Sequence, residues 1–129
     1  MKAAQKLKKE MLIKFGEYNK GVFSHGPLDT DEQVIDAWDK FVASSNHWDT
    51  VSEFRGGQIE TDLPSYSDRN YEAKEVAAKM SDGSWLGWTY WYGGGKYGNP
   101  EEIEWISEAY NLDCVEEQKV VTVRTFKKV

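Results

Sequence analysis

Apolar and polar positions fall into separate periodic blocks along this chain. Residues 2–15 (KAAQKLKKEMLIKF) hold no Gly or Pro, and Ala4, Leu7, Met11 and Phe15 recur at helical spacing with lysines opposite. The pattern predicts an amphipathic helix ending near Gly16 or Gly21. Such a basic helix can lie on a membrane, but this apolar stripe is narrow and lacks Trp. Packing on the domain is therefore expected, with residues 2–15 the segment best placed to move as a unit. Residues 21–27 (GVFSHGP) read as a loop. A second helix is predicted from Thr30, because Thr30-Asp31-Glu32-Gln33 has the form of a capping box. Asp31 and Glu32 also suit the positive end of its dipole. Val34, Ile35, Trp38, Phe41 and Val42 form its apolar stripe, and the helix is expected to run to about Ser45.

The periodicity then shortens. Residues 48–55 (WDTVSEFR) alternate loosely, Gly56-Gly57 interrupts, and 58–62 resumes an extended pattern, which predicts a hairpin. Residues 63–70 (LPSYSDRN) have loop composition. Residues 71–81 fit two periods. Ala73, Val76, Ala77 and Met80 are helically spaced, whereas Val76, Ala78 and Met80 alternate. The following Ser81-Asp82-Gly83-Ser84 decides for a strand, since Asp-Gly is a hairpin turn with two positive φ angles. Strand 71–81 is paired with 84–92, which holds the aromatic run 85–92 (WLGWTYWY). Asn99-Pro100-Glu101-Glu102 then reads as a helix start, with Asn99 as N-cap and Pro100 at the first helical position. Ile103, Ile106 and Tyr110 would form that helix's apolar face, ending near Asn111, and 120–126 (VVTVRTF) would be a last strand. The order α-α-β-β-β-β-α-β predicts one α+β domain, helices packed on one face of a mainly antiparallel sheet.

Composition narrows this further. At 129 residues the chain is long enough for one core. Six Trp and seven Tyr argue against global disorder. No stretch approaches the apolar length of a membrane span, and no apolar leader follows the first lysines, so a cytoplasmic protein is expected. The single cysteine, Cys114, excludes an internal disulfide and a cysteine-rich zinc site.

Charge changes the picture more than composition does. The net charge of −6 conceals basic ends and an acidic middle. Residues 1–28 carry six lysines against Glu10 and Glu17, and residues 118–129 carry four bases and no acid, so each end is +4. Residues 29–117 carry twenty acids against six bases, for −14. Such a middle repels nucleic acid at long range, which leaves only the basic ends for direct phosphate contact.

Candidate chemistry is thin. His25 and His47 have no ligand spacing, Cys114 is expected as a buried structural thiol, and Asp29, Asp31, Asp36 and Asp39 do not make a calcium loop. No catalytic residue, metal or cofactor is expected. The loop Gly93-Gly94-Gly95-Lys96-Tyr97-Gly98 has the strand–loop–helix layout of an anion cradle but not the Walker spacing. Pro100 removes a donor, and Glu101 and Glu102 put negative charge where a phosphate would sit. Gly94, Lys96, Tyr97, Glu101 and Glu102 are therefore candidates for a partner contact rather than a phosphate site. On the aromatic strand, alternation places Trp85, Gly87, Thr89 and Trp91 on one face, and Leu86, Trp88, Tyr90 and Tyr92 on the other. Trp85, Trp88, Tyr90 and Tyr92 become candidate stacking residues, with Tyr66, Tyr71 and Tyr97 extending a rim.

The stretch 81–126, containing SDGSWLGWTYWYGGGKYGNPEEIEWISEAY and then VVTVRTF, resembles small proteins encoded by bacteriophages and other mobile elements. That resemblance implies an accessory protein that acts on its host by binding. Two expectations follow. The first is a non-enzymatic protein that modulates a host protein, in its sharpest form a nucleic-acid-binding one, through a surface whose carboxylates mimic phosphates. The alternative is a module binding a ligand or single-stranded nucleic acid through strand 85–92.

Overall fold

A computed structural model describes residues 1–19, 24–45, 47–67 and 70–129. Part of the expected 21–27 loop and of the 63–70 loop lies outside them. Helix α1 (Ala3–Tyr18) buries Ala3, Leu7, Met11, Leu12 and Phe15, so the helical repeat does set its inward face. Helix α2 (Asp31–Ala43) begins as its cap foretells: the Gln33 amide donates to the Thr30 hydroxyl at 3.2 Å, and the Thr30 amide to the Gln33 side chain at 3.0 Å. Its buried stripe is Val34, Ala37, Trp38 and Phe41. Ile35 and Val42, expected inside, remain 41% and 39% exposed, because α1 covers a narrower face than the sequence offers. Phe41 is the hinge of the packing, with its ring 4.8 Å from Phe15 and 5.6 Å from Trp38.

Residues 48–55 are not half of a hairpin but helix α3 (Trp48–Arg55). Val51 and Phe54, three residues apart, turn to one side and pack against the core, so the 3.6-residue period wins over loose alternation. Of the extended stretch 58–62 only β1 (Ile59–Glu60) forms.

The sheet is antiparallel, in the order β1, β2 (Glu72–Lys79), β3 (Trp85–Tyr92), β4 (Tyr110–Leu112). The α+β class, with one sheet and three helices, is thus as expected, as is the β2–β3 hairpin. Its turn differs in kind. Gly83 donates to the Met80 carbonyl at 3.0 Å, Met80 to the Ser84 carbonyl at 2.8 Å, and only Gly83 has positive φ (+88°). This is a three-residue loop closed by a left-handed glycine rather than a two-residue turn. Asp82 accepts from the Ser84 hydroxyl and amide, which holds its carboxyl below the usual aspartate range. Buried Glu10 of α1 accepts from the Ser81 hydroxyl (2.6 Å) and amide (3.2 Å), pinning the turn to the helix.

One face of the sheet carries Val76, Ala78, Leu86 and Trp88 into a single core with the helices. Trp88, fully buried, lies 5.3 Å from Trp105 and donates its indole N–H to the Arg55 carbonyl at 2.8 Å. The predicted helix from Asn99 does not form. Two single 3₁₀ turns, Gly95–Tyr97 and Pro100–Glu102, replace its start, and the Asn99 side chain caps nothing. Beyond them Trp105 and Ile106 enter the core, and Tyr110 reaches β3 as strand. Burial of two large side chains and a sheet edge outweighs the start signals, which act on one turn only. The expected strand 120–126 is absent as well. Residues 113–129 carry no regular structure, all are exposed, and Cys114 is exposed rather than buried.

Candidate binding surface on the sheet

The hairpin turn sets the register that assembles this surface. With Met80 paired to Ser84, Lys74 faces Tyr90, Glu72 faces Tyr92, and Glu75 faces Thr89. Lys74, Tyr90 and Tyr92 then share the sheet face that carries the core, with Tyr90 packed against the core's margin. The two tyrosine rings lie 6.0 Å apart and nearly parallel, at 25°. The Lys74 ammonium sits 5.4 Å from the Tyr90 centroid and 5.8 Å from that of Tyr92. Arg55, at the end of α3, lays its guanidinium 4.5 Å over Tyr90 and donates to the Trp91 carbonyl. Lys74 also meets Glu60 at 3.6 Å, whereas Arg55 forms no ion pair among the described residues. Two cations thus stand over two aromatic rings, all four side chains half-buried. The arrangement can hold a flat ligand by stacking and an anion beside it.

The opposite face is organised by Glu75, a carboxylate only 7% exposed. It accepts from three hydroxyls: Ser65 at 2.7 Å, Thr89 at 2.9 and 3.0 Å, and Tyr110 at 2.8 Å. Those donors come from the loop after β1, from β3 and from β4, so one acid ties three segments. Gly87 makes this possible. A Cβ there would fall 2.6 Å from the Tyr110 ring and 2.7 Å from Leu112, so the absent side chain is the floor on which the ring lies. Burial, and then the bond to Glu75 and its charge, push the Tyr110 hydroxyl pKa above the usual tyrosine value.

The glycine loop proves to be a wrapper. Gly94 has φ +86°, and a Cβ on it would strike the Tyr71 ring at 2.4 Å; Asn99 donates its amide to the Tyr71 hydroxyl at 3.2 Å. The loop therefore closes around Tyr71. Lys96 and Tyr97 are exposed and pair with each other, 5.6 Å from ammonium to ring centroid. Glu101 and Glu102 are exposed on the second 3₁₀ turn.

Of the stacking candidates, then, Tyr90 and Tyr92 come together, Trp85 is half-buried on the other face opposite Lys79, and Trp88 belongs to the core. Tyr66 is exposed on its loop. Arg55, Lys74 and Glu75 escape sequence reasoning. Counting back from a two-residue Asp82-Gly83 turn sets Lys74 against Trp91 and Glu75 against Tyr90, one residue off the observed register, and Arg55 comes from a segment read as extended.

Elsewhere, a cleft of about 590 Å³ opens between α1, α3 and the sheet, lined by Phe15, Tyr18, Glu53 and Phe54 among others. Among the described residues no group of three His, Cys, Asp or Glu side chains could hold a metal ion. His25 is exposed in its loop, and His47 stacks 4.3 Å from Trp48. Among the described residues no helix is long and apolar enough to cross a membrane. Comparison with protein-family models, curated proteins and solved structures finds no match to this chain.

Proposed function

We propose that the chain is a non-enzymatic binding protein whose Arg55–Lys74–Tyr90–Tyr92 platform takes a planar anionic ligand, the base and phosphate of single-stranded nucleic acid. The observation that carries this reading is the Lys74 ammonium standing over two neighbouring, near-parallel tyrosine rings, with Arg55 over one of them. Bases stack on tyrosine and guanidinium faces alike, and the neighbouring ammonium compensates the phosphate. The acidic middle of the chain opposes long-range steering, so affinity rests on short-range stacking rather than on charge. Trp91 lies on the opposite face of the strand, so binding is read from the ligand. Titration of a labelled single-stranded oligonucleotide with the chain is expected to raise its fluorescence anisotropy saturably. Tyr92→Ala removes one stacking ring, worth ~1–3 kcal/mol, or roughly 5- to 150-fold in affinity. A flat titration with the wild-type chain overturns the reading.

A second reading is favoured by the outer stripe of α2. Glu32, Asp36 and Asp39 alternate there with exposed Ile35 and Val42, and among the described residues only Asp36 forms an ion pair, with Lys40 at 3.0 Å. Acid mixed with apolar surface suits a basic partner protein. Together with the resemblance to mobile-element proteins, it supports an accessory role in the cytoplasm, engaging a host nucleic-acid-binding protein in place of its phosphates. Such a complex is expected to weaken steeply with added salt.

A further inference from the structure

Two features of the fold have no strand partner among the described residues, and they complement one another. The first is an open sheet edge. β4 covers β3 only at Trp85, Leu86 and Gly87. In the β2–β3 register the backbone groups of Thr89 and Trp91 point away from β2, as those of Trp85 and Gly87 do toward β4. Among the described residues no backbone group meets them, and only the Trp91 carbonyl is engaged, by Arg55. Glu101 and Glu102 are exposed on the 3₁₀ turn that contacts β3.

The second feature is the segment 119–129. Six of the seven residues in Val120–Phe126 are β-branched or aromatic, and Lys119, Arg124, Lys127 and Lys128 make it basic. Val120, Val121, Val123 and Phe126 are all at least 76% exposed. A run of this kind has strong strand propensity and gains nothing from lying in water. Its own chain cannot easily supply the edge. β4 runs antiparallel to β3, passing from Gly87 to Trp85, so the chain leaves the sheet at the end remote from Thr89 and with β4 in between.

We infer that residues 119–126 of a second copy of this chain add as a strand along the β3 edge at Thr89–Trp91, with their lysines and arginine facing Glu101 and Glu102. This is strand addition at an exposed edge, in which backbone bonds provide affinity and charge sets the choice of strand. Repeated in both directions it gives a closed twofold dimer, each copy lending one strand. The inference does not depend on the ligand reading.

Sedimentation of the full chain over a wide concentration range tests it, with Val123→Pro as the variant. Val123 is 84% exposed and outside every helix and strand, so the substitution spares the fold while removing a strand donor. The wild type is expected to show a concentration-dependent dimer, and Val123→Pro to raise its dissociation constant roughly tenfold or more, ~1.4 kcal/mol. Hydrogen exchange at the Thr89 and Trp91 amides is expected to slow in the wild-type dimer and to be fast in the variant. A wild type monomeric throughout overturns the inference, as does a dimer that Val123→Pro leaves intact. Slow exchange of those amides in a monomer overturns it too, by showing that the segment pairs within its own chain.

Discussion

At the scale of single residues, Glu75 carries the most consequence. A carboxylate removed from water needs its lone pairs met, and three hydroxyls from three segments do so. The acid thereby aligns the strands that present Tyr90 and Tyr92 on the other face. Tyr110→Phe takes away one of these donors without changing shape, and chemical denaturation is expected to show a loss of about 1–2 kcal/mol at neutral pH. The pH dependence has a definite sign. Because the folded Tyr110 holds its proton to higher pH than an unfolded tyrosine, its contribution is whole below the ordinary tyrosine value of about 10. It is lost as pH rises from there through the folded value. Above pH ~10 the wild type should therefore lose stability more steeply than Tyr110→Phe, which lacks this titration; equal slopes in paired denaturation series would contradict the assignment. Glu75 is legible in the sequence only as one acid among 22, since nothing local distinguishes a buried carboxylate from a solvated one.

At the scale of elements, the two N-terminal signals that look alike in sequence behave differently. Thr30 caps α2 with both bonds of the box in place, while Asn99 caps nothing. Thr30→Ala is accordingly expected to cost about 1 kcal/mol and Asn99→Ala to be near neutral, within about 0.5 kcal/mol, in matched thermal melts. Gly87→Ala tests the β3–β4 junction. Its Cβ would collide with Tyr110 and Leu112, and a loss of about 1–3 kcal/mol is expected, with melting temperature as the readout. The β2–β3 hairpin was legible because alternation, turn residues and aromatic content agree over 71–92. Helix α3 was not, since eight residues hold barely two helical repeats and the same apolar positions fit a twisted strand. The failed helix after Asn99 shows the reverse error, where strong local signals yield to the burial of Trp105 and Ile106 far along the segment.

At the scale of the whole molecule, the charge map and the fold divide the work. The basic first segment becomes α1, whose inner side is core and whose Lys6 reaches Ser84 at 3.5 Å, so those lysines serve the domain's own surface. The basic last segment stays outside the fold, exposed and without regular structure. The acidic middle supplies exposed carboxylates on α2 and the cation-bearing platform at once, because register, and not net charge, decides which side chains gather.

The sequence alone determined the class of the fold, the two longer helices, the central hairpin and the alternation of its aromatics. These follow from periodicity and turn chemistry, which act between residues a few positions apart. It also determined that the chain has basic ends about an acidic centre. Only the tertiary structure decided that Trp88 is core while Tyr90 and Tyr92 remain on the surface, that Arg55 arrives from another element to cover them, and that Glu75 closes the opposite face. Each of those outcomes depends on which surfaces cover one another. That choice is settled by the summed burial of distant segments, which no local pattern encodes.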